Sequence, residues 1–238
     1  MTGNIFLYLA SVVTLLNAIL IFWRKKKSPF KTMAIFFFGF IFMSLAFFLL
    51  ALPNSFVYNA NGIQIIFILS DLFFLAVETC FSLTFLVTSG FSDYGKLFAA
   101  GAIGWMAVYL ILAALFYSPA QPLLQDGNVF YWAAGTPWLQ GINRILLVVG
   151  ALTFAVAYFY WAGKVEEKRS LLKAAFFGMS MVVTATGGMI FWFFPFFHFT
   201  PFLLDLSTGL NFFGIVITVA LVEFFRILRK IEMQNEKI

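Results

Sequence analysis

The sequence is poor in the residues that build metal centres and disulfides. It has one cysteine, Cys80, and one histidine, His198, among 238 residues. A single cysteine excludes a disulfide within the chain. A single histidine excludes a haem held by two axial histidines and a metal site built from several histidines. We therefore predict that the protein has no metal site and uses no cofactor.

Recognisable catalytic motifs are also missing. The sequence contains no H-E-x-x-H zinc motif, no phosphate-binding glycine loop and no G-x-S-x-G nucleophile elbow. No lysine occurs in the last hydrophobic segment, so a retinal Schiff base of the rhodopsin kind is not expected there. These absences predict a protein that is not an enzyme and has no catalytic residues.

Charged residues are scarce as well, at 11% of the chain, while hydrophobic residues make up 63% and the mean hydropathy is +0.97. A soluble domain has about half apolar residues and about a quarter charged ones. The composition is therefore typical of a polytopic membrane protein whose main partner is the lipid bilayer. Its 35 phenylalanines fit lipid-facing and helix-packing positions, because phenylalanine needs no polar partner.

Seven segments are long and apolar enough to cross a bilayer, which takes about 20 residues. They are residues 4–23, 31–52, 62–88, 97–117, 138–162, 172–196 and 202–225. We predict an all-α fold, with a seven-helix transmembrane domain over residues 1–225 and a basic helical extension over residues 226–238. No basic residue precedes the first segment, which favours an uncleaved first helix whose N-terminus lies outside.

The basic residues indicate the orientation. Every lysine and arginine except Arg144 lies in or beside the first, third and fifth connections, or after the last segment. The other connections contain one acidic residue, Asp126, and no basic one. The positive-inside rule then places the N-terminus outside and the C-terminus in the cytoplasm, in a multi-pass protein of the cell inner (cytoplasmic) membrane. Because topology explains the net charge of +5, that charge does not indicate nucleic acid as a partner.

Two short stretches indicate an internal repeat. FILSDLFF at 67–74, in the third segment, resembles FLLDLSTG at 202–209, in the seventh. Helices 1–3 and 5–7 would then be parallel repeats joined by an inverting fourth helix, which often places a binding site at the repeat interface. The match is short and rests on apolar letters, so chance similarity is the alternative.

The connection at 118–137 is rich in proline, glycine and aromatic residues. We expect its aromatics Phe130, Tyr131 and Trp132 to lie at the outer membrane interface, where such rings are enriched. The alternative is a segment that folds over the end of the helix bundle.

Four ionisable residues interrupt the predicted spans, namely Asp71, Glu78, Arg144 and Asp205. A charge at the middle of a spanning helix costs about 2.5–3.5 kcal/mol, so these side chains should face the bundle interior. At about 1.5 Å per residue, Asp71, Arg144 and Asp205 all fall in the outer half of the membrane. We expect Arg144 to pair with Asp71, with Asp205 or with both, because a guanidinium can bridge two carboxylates.

Glu78 follows Asp71 by seven residues, which is two helical turns along the same face and about 10 Å. The predicted site for a ligand or ion consists of Asp71, Glu78, Arg144, Asp205 and Asn211. Arg144 would act there as an anion clamp or gate, and Asp71 and Glu78 as cation or proton sites. The alternative is a static buried ion pair that fixes helix packing.

The C-terminal stretch 222–238 keeps a helical pattern of apolar and basic residues. We predict that Arg226, Arg229 and Lys230 couple the last helix to a cytoplasmic partner. The alternative is an anchor in the membrane interface.

This topology, with FFRILRK at 224–230, resembles the seven-helix membrane sensor modules of bacterial signalling proteins. The resemblance implies a chain that runs from outside to inside and a last helix that passes a signal to a cytoplasmic output domain. These 238 residues include no such domain, so either the output is a separate protein or the chain is not a sensor. The layout of three, one and three helices is also similar to sugar transporters of the SWEET type, although their proline–glutamine signature is missing from the spans.

Three functions are therefore considered. The first is a receptor-like sensor that binds a small ligand, an ion or a partner protein in its polar interior and couples to the cytoplasm through helix 7. The second is a small-molecule or ion transporter in which Asp71 and Glu78 alternate in protonation. The third is a non-catalytic structural subunit of a larger membrane complex, in which the charges fix packing.

Overall fold

The structure is a computed structural model, and it describes residues 2–25, 31–54, 59–88, 92–126, 129–164, 168–193, 202–203, 205–217 and 220. Each of the seven predicted segments contains an α-helix. The helices are α1 (Thr2–Lys25), α2 (Lys31–Ala51), α3 (Ala60–Thr88), α4 (Ser92–Leu115), α5 (Pro137–Lys164), α6 (Lys168–Phe193) and α7 (Asp205–Ile217). A short 3₁₀ turn, Leu52–Asn54, follows α2.

Four helices are long and apolar enough to cross a membrane. Their apolar stretches are Ile5–Trp23, Ala34–Ala51, Ala60–Thr84 and Asp93–Leu115. Shorter apolar stretches lie in α6, at Ala175–Ile190, and in α7, at Asp205–Ile217. The structure is therefore that of a helical membrane protein, as the composition predicts.

Local signals explain where several helices begin. The Asn59 side-chain oxygen accepts a hydrogen bond of 2.6 Å from the backbone N–H of Gly62, which is the N-cap arrangement for α3. Proline at the first position of α5, Pro137, has no N–H to leave unpaired. In the first turn of α4, Asp93 places a negative charge near the positive end of the helix dipole.

The helices pack as a closed ring. α2 packs between α1 and α3, α3 packs on α5, and α5 packs on α6. α7 joins α6 through a 2.8 Å hydrogen bond from the Ser207 hydroxyl to the Gly187 carbonyl. The other side of α7 meets α1, where the rings of Phe6 and Phe212 stack 5.7 Å apart. The order around the ring is therefore α1, α2, α3, α5, α6 and α7.

α4 lies outside this ring. It packs mainly on α3 and more lightly on α5. Only 11% of its apolar stretch is buried, against 33–39% for the corresponding stretches of α1, α2 and α3. Most of the α4 surface is therefore available to lipid, and its buried face covers the groove between α3 and α5.

The connection between α4 and α5 forms a β-hairpin, which the predicted all-α class did not include. β1 (Gln121–Asp126) pairs antiparallel with β2 (Val129–Ala133). Facing residues are Gln121 and Ala133, Pro122 and Trp132, Leu124 and Tyr131, Gln125 and Phe130, and Asp126 and Val129. The β2 sequence is rich in β-branched and aromatic residues, which favour strands over loops. The bundle is thus helical as predicted, and this one connection adds a two-stranded hairpin to it.

The hairpin covers the largest apolar cluster. The members of this cluster are Leu7, Ala10, Phe47, Leu50, Ala51, Ile63, Phe67, Ala120 and Ile215. Trp132 and Ala134 pack against it, so Trp132 covers the end of the bundle, which was the alternative to a place at the membrane interface. The side chains of Phe130 and Tyr131 lie outside the described part of the structure.

Candidate ligand-binding site between helices 3, 4 and 5

One face of α3 carries three polar residues at intervals of seven, Gln64, Asp71 and Glu78. An interval of seven is close to two helical turns, so all three point to the same side of the helix. That side faces α5, and the contacting pairs are Gln64 with Thr136, Asp71 with Arg144, and Glu78 with Gly150. Because each pair is 72 or 73 residues apart in the chain, α3 and α5 run side by side in the same direction.

The middle of these three contacts is a buried ion pair. Asp71 is 3% exposed and Arg144 is 8% exposed, and Arg144 Nε lies 3.8 Å from Asp71 Oδ1. The Tyr109 hydroxyl of α4 donates a 2.8 Å hydrogen bond to Asp71 Oδ2. The structure thus pairs Arg144 with Asp71, one of the two partners that the sequence allows. The loss of either residue removes a countercharge from the other in a poorly polar interior, which is costly.

α4 closes this ion pair off from the surrounding lipid. Tyr109 is fully buried and packs in a cluster with Ala113 and Leu139. One helical turn earlier, Trp105 Nε1 donates a 2.7 Å hydrogen bond to Asn143 Oδ1 on α5. The interval of four places Trp105 and Tyr109 on one face of α4, and that face covers the polar side chains of both ring helices.

Two buried amide side chains of α5 accept hydrogen bonds through their oxygens. Arg144 Nη2 donates to Gln140 Oε1 at 3.3 Å, and Trp105 donates to the Asn143 oxygen. In the part of the chain that the structure describes, Gln140 Nε2 and Asn143 Nδ2 have no hydrogen-bond partner, although both residues are at most 1% exposed. A buried donor without an acceptor costs about 1–3 kcal/mol.

The first of the three contacts, at Gln64, joins α3 by hydrogen bonds to the residues just before α5. Gln64 is fully buried, and its Nε2 donates to Thr136 Oγ1 at 3.2 Å. Its Oε1 accepts a 2.8 Å hydrogen bond from the backbone N–H of Gly135. Both ends of this amide are therefore used in holding the two helices together.

The third contact is formed by the Glu78 carboxylate of α3 and Gly150 of α5. The Glu78 carboxylate occupies the space that a side chain at Gly150 would fill, so any Cβ there would overlap it. The Ser82 hydroxyl donates a 3.2 Å hydrogen bond to Glu78 Oε1. Among the described residues, Glu78 takes part in no ion pair. Gly150 is thus the residue that lets α5 approach this carboxylate.

Asp205 and Asn211, the other two residues of the predicted site, lie on α7. Asn211 Nδ2 donates a 3.2 Å hydrogen bond to the Ser207 carbonyl within that helix. α7 packs on α6 and α1. The part of Asp205 and Asn211 in the site stays a prediction.

The predicted coupling residues, Arg226, Arg229 and Lys230, lie outside the described residues, as does the whole extension at 226–238. Their role stays a prediction.

Sequence reasoning missed several residues of the site, among them Trp105, Tyr109, Gln140 and Gly150. The interval of four between Thr136, Gln140 and Arg144 was a usable signal, because it marks one polar face of α5. No comparable signal marked Tyr109, since tyrosine in a membrane helix is more often an interfacial residue than a partner of a carboxylate.

Comparison with known proteins finds no protein-family model that matches this chain and no curated protein that matches its sequence. Function is therefore argued from the chemistry of the site itself.

Proposed function

We propose that the protein is a receptor-like membrane sensor that binds a small ligand where α3, α4 and α5 meet. The observation that carries this proposal is the buried contact between Tyr109, Asp71 and Arg144, which links three helices through one carboxylate. Ionisable residues inside a membrane are costly, and they usually mark functional sites. A ligand that rearranges this contact would move the three helices relative to one another.

We also propose that all seven helices span the cytoplasmic membrane, with the N-terminus outside. The basic connections support this orientation. The parallel course of α3 and α5 supports a membrane-spanning α4, because α4 must then return across the bilayer between them. Labelling at two exposed positions tests the orientation. In a Cys80→Ala background, Asn59→Cys should react with an impermeant maleimide in intact cells. A cysteine at Lys96 should react only after permeabilisation, and the reverse pattern would contradict the topology.

Two matching hydrogen bonds support the proposed repeat of helices 1–3 and 5–7. In the first half, the Ser70 hydroxyl of α3 donates to the Ala46 carbonyl of α2 at 3.1 Å. In the second half, the Ser207 hydroxyl of α7 donates to the Gly187 carbonyl of α6 at 2.8 Å. Both serines lie within two residues of the aspartates in the matching stretches 67–74 and 202–209. A serine-to-carbonyl hydrogen bond therefore joins the second and third helices of each half, with the serine before the aspartate in one half and after it in the other.

Coupling to the cytoplasm would follow the packing order of the ring. Arg144 lies on α5, α5 packs on α6, and α6 is bonded to α7 through Ser207 and Gly187. A movement at the site would thus reach the end of α7 and the basic residues after it, where a cytoplasmic partner protein is proposed to bind. Truncation after Phe225 should abolish co-purification of this partner while the bundle stays folded.

Native mass spectrometry of protein released from its own membranes is the direct test of ligand binding. The unaltered chain should retain a small molecule that Arg144→Gln and Asp71→Asn both lose. The matched control is Asp93→Asn, which removes a carboxylate whose ion pair with Lys96 is exposed to solvent. If none of these proteins carries a bound molecule, or if the three variants carry as much as the original, the receptor proposal is wrong.

Proton or ion transport is the second candidate, because the polar face of α3 extends across three levels of the membrane. Gln64, Asp71 and Glu78 together cover about 21 Å of helix length. Transport predicts flux through proteoliposomes that Glu78→Gln abolishes and Asp93→Asn preserves. A sensor predicts no flux in any of the three proteins, so the measurement separates the two candidates.

A further inference from the structure

Two amide side chains on α5 are buried with their nitrogens unused. Gln140 is 1% exposed and Asn143 is fully buried. Their oxygens accept hydrogen bonds from Arg144 Nη2 at 3.3 Å and from Trp105 Nε1 at 2.7 Å. Their nitrogens, Nε2 and Nδ2, have no hydrogen-bond partner within the described ranges of the chain. A buried amide that is half used needs an acceptor.

Rotation of the two amides does not remove this need. Exchange of O and N in Gln140 would turn an N–H₂ group toward the guanidinium of Arg144. The same exchange in Asn143 would turn an N–H₂ group toward the indole N–H of Trp105. Guanidinium and indole nitrogens donate hydrogen bonds and accept none. Arg144 and Trp105 therefore fix the orientation of both amides. Neither amide nitrogen can form a hydrogen bond with these two side chains.

The charges around the two amides favour a neutral acceptor over an ion. The guanidinium of Arg144 already faces the carboxylate of Asp71. An anion that bound at the amides would add a negative charge beside Asp71 in an interior that solvates ions poorly. N–H₂ donors do not bind a cation, because they offer it no lone pair. A carbonyl oxygen satisfies the donors and leaves the charge balance as it is.

We propose that Gln140 and Asn143 bind the carbonyl oxygen of a small neutral molecule, such as an amide. This inference rests on the proposed function and specifies its ligand class. Gln140 and Asn143 are three residues apart, on neighbouring positions of one helix face, so a single compact ligand can reach both. Gln140 also holds Arg144, and Asn143 holds Trp105, so occupation of the amides is transmitted to α3 through Asp71 and to α4 through Trp105.

Nuclear magnetic resonance of the side-chain amides tests this directly. The full ¹⁵N-labelled chain in nanodiscs is titrated with N-methylacetamide, a neutral carbonyl probe, and separately with formate, an anion of similar size. Gln140→Glu and Asn143→Asp assign the two N–H₂ signals by their loss, and both variants keep the oxygen that Arg144 or Trp105 needs. Asn59, whose exposed side chain caps α3, reports non-specific effects.

N-methylacetamide should shift the Gln140 and Asn143 signals in a saturable way, whereas formate should leave both in place and Asn59 should not respond to either probe. Shifts with formate alone would overturn the proposal, as would the absence of any shift, which would mean that these amides bind only water. If Asn143→Asp does not fold, Gln140→Glu assigns one signal and Asn143→Ser the other.

The result separates this inference from the receptor proposal. If N-methylacetamide causes no shift while Arg144→Gln still strips the natively bound molecule, the ligand class is wrong and the receptor stands. If the probe binds but protein from native membranes carries no molecule, the carbonyl site stands and the receptor does not.

Discussion

Two buried polar contacts in this bundle differ in how completely their hydrogen-bonding groups are used. Between α1 and α2, the hydroxyls of Ser11 and Ser44 each donate a 2.9 Å hydrogen bond to the other residue's carbonyl. Between α3, α4 and α5, the cluster around Arg144 leaves the nitrogens of Gln140 and Asn143 unused within the described residues. The first contact needs nothing more, whereas the second still needs an acceptor.

This difference separates packing from binding. Lipid chains are as apolar as the helix surfaces, so helices in a membrane associate through close packing and hydrogen bonds rather than through burial from water. A reciprocal pair of serines supplies those bonds at low cost. Burial of an ion pair and of unused donors costs free energy, and a ligand that accepts hydrogen bonds from those donors offsets part of this cost. Such a cluster is typical of a binding site rather than of a packing contact.

The largest effect is expected from breaking the ion pair. Arg144→Ala leaves the carboxylate of Asp71 buried without its cation, which should lower the free energy of unfolding by about 3–5 kcal/mol. Chemical unfolding in mixed micelles measures this change. The double variant Asp71→Leu with Arg144→Met should recover most of the loss, because neither charge of this pair remains.

Lys96→Ala is the matched control for that experiment. It removes an ion pair with Asp93 in which both side chains are more than 80% exposed. We expect no measurable change in stability, since exposed pairs contribute little. Equal losses in Lys96→Ala and Arg144→Ala would show that the buried pair has no special weight.

The next effect is expected at the hydroxyl of Tyr109. Tyr109→Phe keeps the buried ring and removes one hydrogen bond to the Asp71 carboxylate, so it should cost about 1.5–3 kcal/mol. Tyr117→Phe, two residues after the end of α4, is the comparison, because the exposed Tyr117 hydroxyl bonds to Asn61. Its cost should stay below about 0.5 kcal/mol. Thermal unfolding of the two variants side by side tests the difference.

A smaller effect is expected from filling the space at Gly150. Gly150→Ala forces the Glu78 carboxylate to move, which should cost about 1–3 kcal/mol by overpacking. On the same helix, an added Cβ at Gly141 meets nothing within 4 Å, so Gly141→Ala should stabilise by about 0.5–1 kcal/mol. In the background of Glu78→Ala, the penalty at Gly150 should disappear. A penalty that persists there would mean that Glu78 is not what fills the space.

The smallest effect is expected at the complete contact between α1 and α2. Ser44→Ala removes one of the reciprocal hydrogen bonds, and such bonds between membrane helices average about 0.6 kcal/mol. Adding Ser11→Ala should cost about as much again, because the Ser11 hydroxyl donates to the Ser44 backbone carbonyl, which Ser44→Ala keeps. Chemical unfolding of the single and double variants measures both steps. A loss at Ser44 as large as that at Arg144 would remove the distinction between the two contacts.

Much of the fold follows from the sequence alone. The apolar runs predict a helix in each of the seven segments, because lipid leaves the backbone no other way to satisfy its polar groups in a single segment. The cost of a charge in lipid predicts that Arg144 finds a buried carboxylate. The interval of seven predicts that Asp71 and Glu78 share a face, and they do.

Tertiary structure decided which helices are neighbours. Periodicity fixes the angle of a side chain around its own helix but carries no information about the helix that it faces, so Asp71 meets Arg144 because α3 lies beside α5. The same lack of information hid Tyr109, whose partner is 38 residues away on another helix. The space at Gly150 for the Glu78 carboxylate likewise exists only once α3 and α5 have packed in register.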